Sequence, residues 1–461
     1  MDTPTAPSLL WAPLLLAPTD AYGIDVLEDA VVAIADGRIA GVRTGVRSAP
    51  RGATRLDGCA LLPGLVNAHA HVELAPWSGI IDGLALPEWL GRLVEVRAAA
   101  SAGGVDITSG AAEAGAMECI AGGITTVLDA SYSDAVPAAL HAAGVRGRSY
   151  REVFAASLGP GVRSIDEAEA APRTLPPGID DGLSPHAPYT AGPDDYTRVA
   201  TGGGRWMTHL AESPAELGFL ADGSGPLSRS FGGGERPRWP AGSAPVTMLE
   251  GLLDERALLV HGVHLDVDQV EALAATGAGL VLCPRSNARL GCGLPPWRLL
   301  REAGVPLALG TDSPASAGPL DMFAEMRLLL HGVRALEQDA AAISAGEALW
   351  LATRGGALAG GYPDRGLLAE GAAADLCAIR LDAGAPAVES LVLAAHPHQV
   401  QLVLVAGEHA WDARVARSLE RLAHARARSA RLARELQRLA SGASRAGNRG
   451  PNPLQTGAGR V

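Results

Sequence analysis

The sequence predicts an α/β fold, a (β/α)8 TIM-type barrel joined to a small β-sandwich formed from both ends of the chain. Two observations carry that prediction. Across residues 59–363, eight short apolar runs alternate with Ala/Leu-rich helical stretches, the size and rhythm of a closed (β/α)8 barrel. Short β-type segments lie on either side of that region, which fits two partial sheets meeting in one small domain. An open doubly wound sheet fits less well, because the first strand-to-helix turn has no glycine-rich dinucleotide fingerprint. The 461 residues, 48% of them hydrophobic, suffice for one large core and one small one.

Taken in order, residues 1–58 supply the first part of the sandwich. Within them VVAIA, Asp36-Gly37 and RIAGV read as a hairpin, with the Asp-Gly pair that a two-residue turn prefers. The barrel strands are read at ALLPGLVNAHAH (60–71), GITTVLDA (123–130), RSYREVFAAS (148–157), GLSPHAPYT (182–190), RWMTHLAES (205–213), ALLVHGVHL (257–265), GLVLCPRSN (279–287) and PLALGTDSP (306–314). The stretch FGGGERPRWPAGS (231–243) reads equally as a flexible lid or as a plain surface insertion. Residues 364–412 complete the sandwich, with β character in AADLCAIRL (373–381) and VQLVLVAGEHAW (400–411). Residues 413–440 read as an amphipathic Arg-rich helix, with Val415, Leu419, Leu422, Leu432, Leu436 and Leu439 at roughly helical spacing. Docking on its own domain is the first expectation for that helix, ahead of a membrane or partner helix. Residues 441–461 have the Gly/Ser/Pro-rich composition of a disordered tail.

Charged residues make up only 19% of the chain, and the net charge is −12. Residues 413–461 carry eleven arginines against Glu420 and Glu435, which leaves −21 on the rest. That acidic balance argues against nucleic acid as a partner. All 38 basic residues are arginine. The absence of lysine excludes Schiff-base and pyridoxal-phosphate chemistry, a Walker-type phosphate loop and any two-metal site bridged by a carboxylated lysine. The cysteines Cys59, Cys119, Cys283, Cys292 and Cys377 are scattered with no CxxC pair, as in a reduced, cytoplasmic protein. The apolar stretch Leu9–Leu16 is short and interrupted by Pro13, so neither a signal peptide nor a membrane span is expected.

The chemistry begins at His69 and His71 in NAHAH. A spacing of two puts both imidazoles on one face of a strand, just past its apolar run, where barrel enzymes build their sites. Alone, the pair reads as easily as two partly exposed loop histidines. But His186 follows a short strand, His209 ends RWMTH with Glu212 three residues on, His261 ends ALLVH, and Asp312 ends PLALGTD. Chance would scatter the twelve histidines through helices as well as strand tips. Three imidazoles and one carboxylate suit a zinc-like divalent ion with one position left open for water. Such an ion lowers the pKa of water toward ~7, and a nearby carboxylate, for which Glu212 is well placed, must then carry protons.

PGLVNAHAH, the HLAES segment, the histidine of LVHGVH and LGTDS resemble the amidohydrolase superfamily, in its subgroup of cyclic-amidine deaminases and chlorohydrolases. The resemblance covers about 1–412. It implies a single metal ion held by His69, His71, His209 and Asp312, zinc first, with iron compatible with the same ligands. It further implies that Glu212 protonates the substrate ring nitrogen, His261 orients the attacking water, Asp312 accepts its proton, and His186 contacts the substrate. His264 ranks second as a site residue, and CPRSNARLG (283–291) resembles a recurring family loop with Asn287 structural near the site mouth. Cys283 reads as a buried apolar residue. Glu73, Trp89, Leu90 and Arg97 in HAHVELAPWSGIIDGLALPEWLGRLVEVR are most similar to aminodeoxyfutalosine deaminases, which places Glu73 and Trp89 on the substrate. Glu73 reads equally as a capping group or a support for the ligands. A small heterocyclic or nucleoside substrate and a homodimer are therefore expected. Alternatives are methylthioadenosine/S-adenosylhomocysteine or guanine deamination, a chlorohydrolase, and a metal-free scaffold. Because the bridged two-metal members of the superfamily need a carboxylated lysine, the missing lysine selects a one-metal site.

Overall fold

The computed structural model describes residues 8–158, 162–229, 237–382 and 384–447. Among the described residues, sixteen strands form two sheets. β1 (Ser8–Pro18), β2 (Ile24–Ala35), β3 (Arg38–Arg43), β4 (Thr54–Arg55) and β5 (Cys59–Pro63) precede eight barrel strands. These are β6 (Leu65–Ala70), β7 (Ile124–Ser131), β8 (Arg146–Val153), β9 (Ile179–Pro185), β10 (Trp206–Leu210), β11 (Ala257–His261), β12 (Gly279–Leu282) and β13 (Leu307–Leu309). β14 (Leu376–Arg380), β15 (Val400–Val405) and β16 (Glu408–Asp412) follow.

The barrel strands pair in parallel and in chain order from β6 to β13. The ring closes where the amides of Thr311 and Asp312 donate to His69 O at 3.0 and 2.9 Å. Asn67 locks the same seam: its Nδ2 donates to Thr311 Oγ1 at 2.8 Å, and its Oδ1 accepts from Thr311 N at 3.0 Å. Ala68, Leu128, Tyr150, Met207, Leu258, Val260 and Val281 fill the interior. The second sheet has the order β16-β15-β14-β5-β1-β2-β3, with β4 on β1, so both chain ends build the small sandwich. Asp36 (φ 50) and Gly37 (φ 75) make the hairpin turn read from the sequence, both central residues having positive φ.

Three readings change. The run 60–71 is two strands, split at Gly64 between the sandwich and the barrel. A Cβ on Gly64 would lie 2.1 Å from Thr125 Oγ1, so only glycine passes there. The run 400–411 is a hairpin, turning at Ala406 (φ 49) and Gly407 (φ 76). The C-terminal helix is Ala416–Gly447, so 441–447 are helical rather than tail, and 448–461 lie outside the described residues. It docks on its own domain. Leu422 and Leu436 are buried and Arg428 pairs with Glu113 at 2.6 Å, while Val415 and Leu419 stay exposed. Of the stretch 231–243, residues 231–236 lie outside the described residues. The remainder packs down, with Trp239 Nε1 donating to Pro188 O at 2.8 Å. No helix among the described residues is long and apolar enough to cross a membrane.

Candidate active site

The strands end sooner than their sequence runs suggest, and the site is built at their tips. His69, His209 and His261 are the last or next-to-last residues of β6, β10 and β11, and His71, Glu212 and Asp312 lie on the turns just beyond. Ala211 (φ 53), His261 (φ 79) and Asp312 (φ 57) all lie in the left-handed region, which costs roughly 1 kcal/mol or more each in non-glycine residues. The surroundings hold these conformations. Glu216 accepts from the amides of Ala211 and Glu212 at 2.8 and 2.9 Å, and Gly262 N donates to Leu210 O at 3.0 Å.

Metal-ligand atoms of His69, His71, His209 and Asp312 lie within 4.8 Å of one another, all buried. His69 Nδ1 faces Met207 Sδ at 3.0 Å and His209 Nδ1 faces His186 O at 2.7 Å. A thioether and a carbonyl only accept, so each ring carries its proton on Nδ1 and turns a lone pair outward on Nε2. Those two Nε2 atoms are 3.2 Å apart, and Asp312 Oδ1 lies 3.3 Å from His69 Nε2 and 3.5 Å from His71 Nε2. Two lone pairs at that distance repel unless a cation sits between them. Ligands about 2.1 Å from a tetrahedral ion are about 3.4 Å apart, so the donor set fits a divalent metal. Burial lowers His69 well below its ordinary value and His71 to about 4, keeping both neutral and able to ligate. Burial alone would raise Asp312, but its close approach to the His69 ring and the neighbouring histidines hold it well below the usual carboxylate range. Its other oxygen, Oδ2, accepts from Ser286 Oγ at 2.5 Å and Ser316 Oγ at 3.0 Å.

Glu212, His261 and Asp312 form a second, overlapping group. His261 Nε2 is 3.7 Å from Glu212 Oε1, and its Nδ1 donates to Asn287 Oδ1 at 2.8 Å. Burial, with Asp312 and Glu216 close by, pushes Glu212 well above the usual carboxylate range, which favours its protonated form. Burial pushes His261 down to about 4, leaving a neutral ring.

A cavity of about 630 Å³ opens above this cluster. His71, His209, Glu212, His261 and Asp312 line its base. Trp89, Tyr132, Phe154, His186 and the Leu86–Ala102 helix line its wall. His186 is held by Thr190 Oγ1 at 2.8 Å and stacks on Phe154, ring centroids 5.0 Å apart. Glu73 lines the cavity too, yet both of its oxygens accept backbone amides, Tyr132 N and Ser133 N, each at 2.9 Å. The adjacent Val72 N donates to Asp129 Oδ2 at 2.8 Å, so residues 72 and 73 are stitched to the end of β7. His264 stands apart from the cluster, its Nε2 on Cys292 O at 2.9 Å, and Cys283 is a buried apolar residue of the barrel interior.

Sequence reasoning missed Ser286, Ser316 and Glu216. For Glu216 a signal existed: Ser213 three residues earlier gives the S-x-x-E pattern of a helix start, and Ser213 Oγ accepts from Glu216 N. Ser316 follows Asp312 by one helical turn, at the start of a short helix.

The amidohydrolase family profile matches residues 60–410. The chain belongs to the amidohydrolase family. Within that family it is a hydrolase of the branch holding deaminases and chlorohydrolases. A 5-methylthioadenosine/S-adenosylhomocysteine deaminase from Pelotomaculum thermopropionicum is 33% identical over 423 residues, 86% of this chain and 91% of that protein. Among solved structures, a zinc-bound adenosine deaminase from Xanthomonas campestris is 29% identical with a TM-score of 0.74, covering 92% of this chain and 98% of that one. An atrazine chlorohydrolase from Arthrobacter aurescens TC1, complexed with zinc, is 25% identical with a TM-score of 0.77, covering 91% and 99%. The amidohydrolase assignment and the four-residue donor set agree on a site for a divalent metal ion.

Proposed function

We propose that this amidohydrolase hydrolytically deaminates an adenine-type nucleoside with a bulky extension, aminodeoxyfutalosine being the first candidate. One observation carries the reading. At about 630 Å³ the cavity is larger than an adenosine alone requires, and besides the Glu212–His261–Asp312 group its lining includes the apolar Leu86, Leu90, Leu93, Val105 and Ile107. The Arg97 guanidinium also lines the cavity and stacks over the Tyr132 ring, 3.9 Å from its centroid. An apolar wall with one arginine suits an acidic aryl extension on the sugar side.

His69, His71, His209 and Asp312 would hold the divalent ion, zinc by the chemistry of the set. When bound, the ion lowers the pKa of water toward ~7 and offsets developing negative charge. Asp312 Oδ1 takes the proton of the attacking water, whose direction is set by the neutral Nε2 of His261. Glu212, whose protonated form is favoured by burial, donates to the ring nitrogen of the amidine as water adds to the adjacent carbon. Returning the Asp312 proton to the exocyclic nitrogen lets the C–N bond break and ammonia leave, and the added hydroxyl gives its remaining proton back to Glu212 as the carbonyl forms. Trp89 and His186 frame the ring, and Glu73 acts on the substrate indirectly, by fixing Tyr132.

The relatives named for 5-methylthioadenosine and S-adenosylhomocysteine support a second reading, in which the extension is a thioether. Ammonia release with aminodeoxyfutalosine, methylthioadenosine, S-adenosylhomocysteine and adenosine decides. A kcat/KM at least tenfold higher for aminodeoxyfutalosine is expected. Preference for a thioether nucleoside selects the second reading, and chloride release from a chlorinated heterocycle without any ammonia release overturns both.

A further inference from the structure

Glu152 is a residue that the deamination chemistry does not use. It is the penultimate residue of β8 and shares the inward face of that strand with Tyr150, which lies in the barrel interior. Its carboxyl lines the cavity, the residue is 5% exposed, and Oε1 has no hydrogen-bond partner among the described residues. One of its carboxyl oxygens lies within 4.8 Å of ring nitrogens of His186 and His209. Glu212, His261 and Asp312 are carried by β10, β11 and β13, so Glu152 faces them from another arc of the barrel mouth. A buried carboxyl without a partner costs about 1–3 kcal/mol, and such a group at a cavity wall is one that a ligand completes.

The surroundings narrow the ligand group. Glu73, Asp129 and Asp312 lie close enough to act on Glu152 electrostatically, which disfavours an anion. Arg97 acts on it as well and offsets part of that negative charge, so the ligand group need not carry a positive one. A hydroxyl is neutral, donates to a carboxylate and accepts from a carboxylic acid, so it pairs with Glu152 in either state. We propose that Glu152 is a specificity-determining residue that hydrogen-bonds a sugar hydroxyl of the substrate, selecting ribonucleosides over deoxynucleosides and free bases. This rests on the nucleoside reading of the site. It has a physical consequence for selectivity: an analogue lacking the hydroxyl leaves the buried carboxyl unpaired, which discriminates far more strongly than a lost apolar contact.

The test compares wild-type protein with Glu152→Ala and Glu152→Gln on a ribonucleoside substrate, its 2′- and 3′-deoxy analogues and the free base. Metal content and Tm are measured alongside. Wild-type protein is expected to favour the ribonucleoside over at least one deoxy analogue by about 10- to 100-fold in kcat/KM. Glu152→Ala is expected to lose that ratio while retaining its metal, and Glu152→Gln to recover part of it. Nucleoside turnover with a ratio unchanged by Glu152→Ala overturns the role of Glu152 alone. Wild-type protein that deaminates no adenine nucleoside overturns the nucleoside reading and this role together.

Discussion

His186 holds His209 through its backbone: the His186 carbonyl accepts from His209 Nδ1 at 2.7 Å, and His209 N donates to the same carbonyl at 3.1 Å. One carbonyl therefore sets both the main chain and the ring tautomer of a ligand, and aims His209 Nε2 at His69 Nε2. The arrangement leaves lone pairs crowded together in a dry site, so a bound divalent ion should stabilise the fold.

Removing the ion with a chelator is expected to lower Tm, and one equivalent of zinc is expected to restore it. At a free metal concentration 100 times Kd, binding contributes about 2.7 kcal/mol. Differential scanning calorimetry with and without metal is the measurement. A Tm indifferent to the chelator contradicts the donor set.

Glu212→Gln keeps the shape of the side chain and removes its proton. It is expected to lower kcat by about 10² to 10⁴ while leaving one metal per chain. Asp312→Asn is expected to lose metal as well as turnover, because Oδ1 faces His69 and His71. Metal analysis beside ammonia release separates the two behaviours. Equal metal loss in both variants would refute the division of labour.

Glu216 gives a pH dependence with a definite sign. Burial raises its carboxyl from an ordinary value of 4.5 to about 7. Ionisation therefore favours the unfolded chain, whose carboxyl has already lost its proton by that pH. The stabilisation is complete below about pH 4.5 and is lost as pH rises through about 7, amounting to on the order of 3 kcal/mol. Glu216→Gln should flatten that decline. Chemical denaturation of both proteins at pH 5 and pH 7.5 checks it, and identical slopes would rule Glu216 out as the source.

Leu436 on the C-terminal helix is fully buried in a cluster with Trp77, Trp89 and Leu90, the back of the cavity wall. Arg92 on the Leu86–Ala102 helix donates to the Ala440 carbonyl and adds a second tie. Leu436→Ala is expected to cost about 2–5 kcal/mol and to raise KM more than it lowers kcat. Tm and steady-state kinetics measure both effects. A drop in kcat alone would show that the helix does not brace the substrate wall.

The four-residue donor set was legible in the sequence for a local reason: each member stands at or just past the end of a short apolar strand, and period-two side chains at a strand tip point to the barrel mouth. The supports were not legible, because they depend on which loops meet across that mouth. Asn287 reaches His261 from the next strand-end loop, and Ser286 and Ser316 reach Asp312 from two different short helices. Glu73 is instructive. Its position after HxH drew attention to the substrate, but the amides of Tyr132 and Ser133, about sixty residues away, occupy both oxygens. Glu152 gave no sequence signal, since a lone glutamate in RSYREVF looks like the polar half of an alternating strand. Only the interior position of Tyr150 fixes which half points inward.

The seam of the barrel has a consequence for the order in which this chain can fold. His69 belongs to the first barrel strand and Asp312 follows the last, and the His69 carbonyl accepts both closing amides. Gly64, where the chain enters the ring, donates to the carbonyl of Asp375, where it has just left, at 2.8 Å. During synthesis the imidazoles of β6 emerge more than two hundred residues before the carboxylate that completes them. The four-residue donor set is thus complete only when the ring shuts, so a divalent ion would find its full site no earlier than barrel closure.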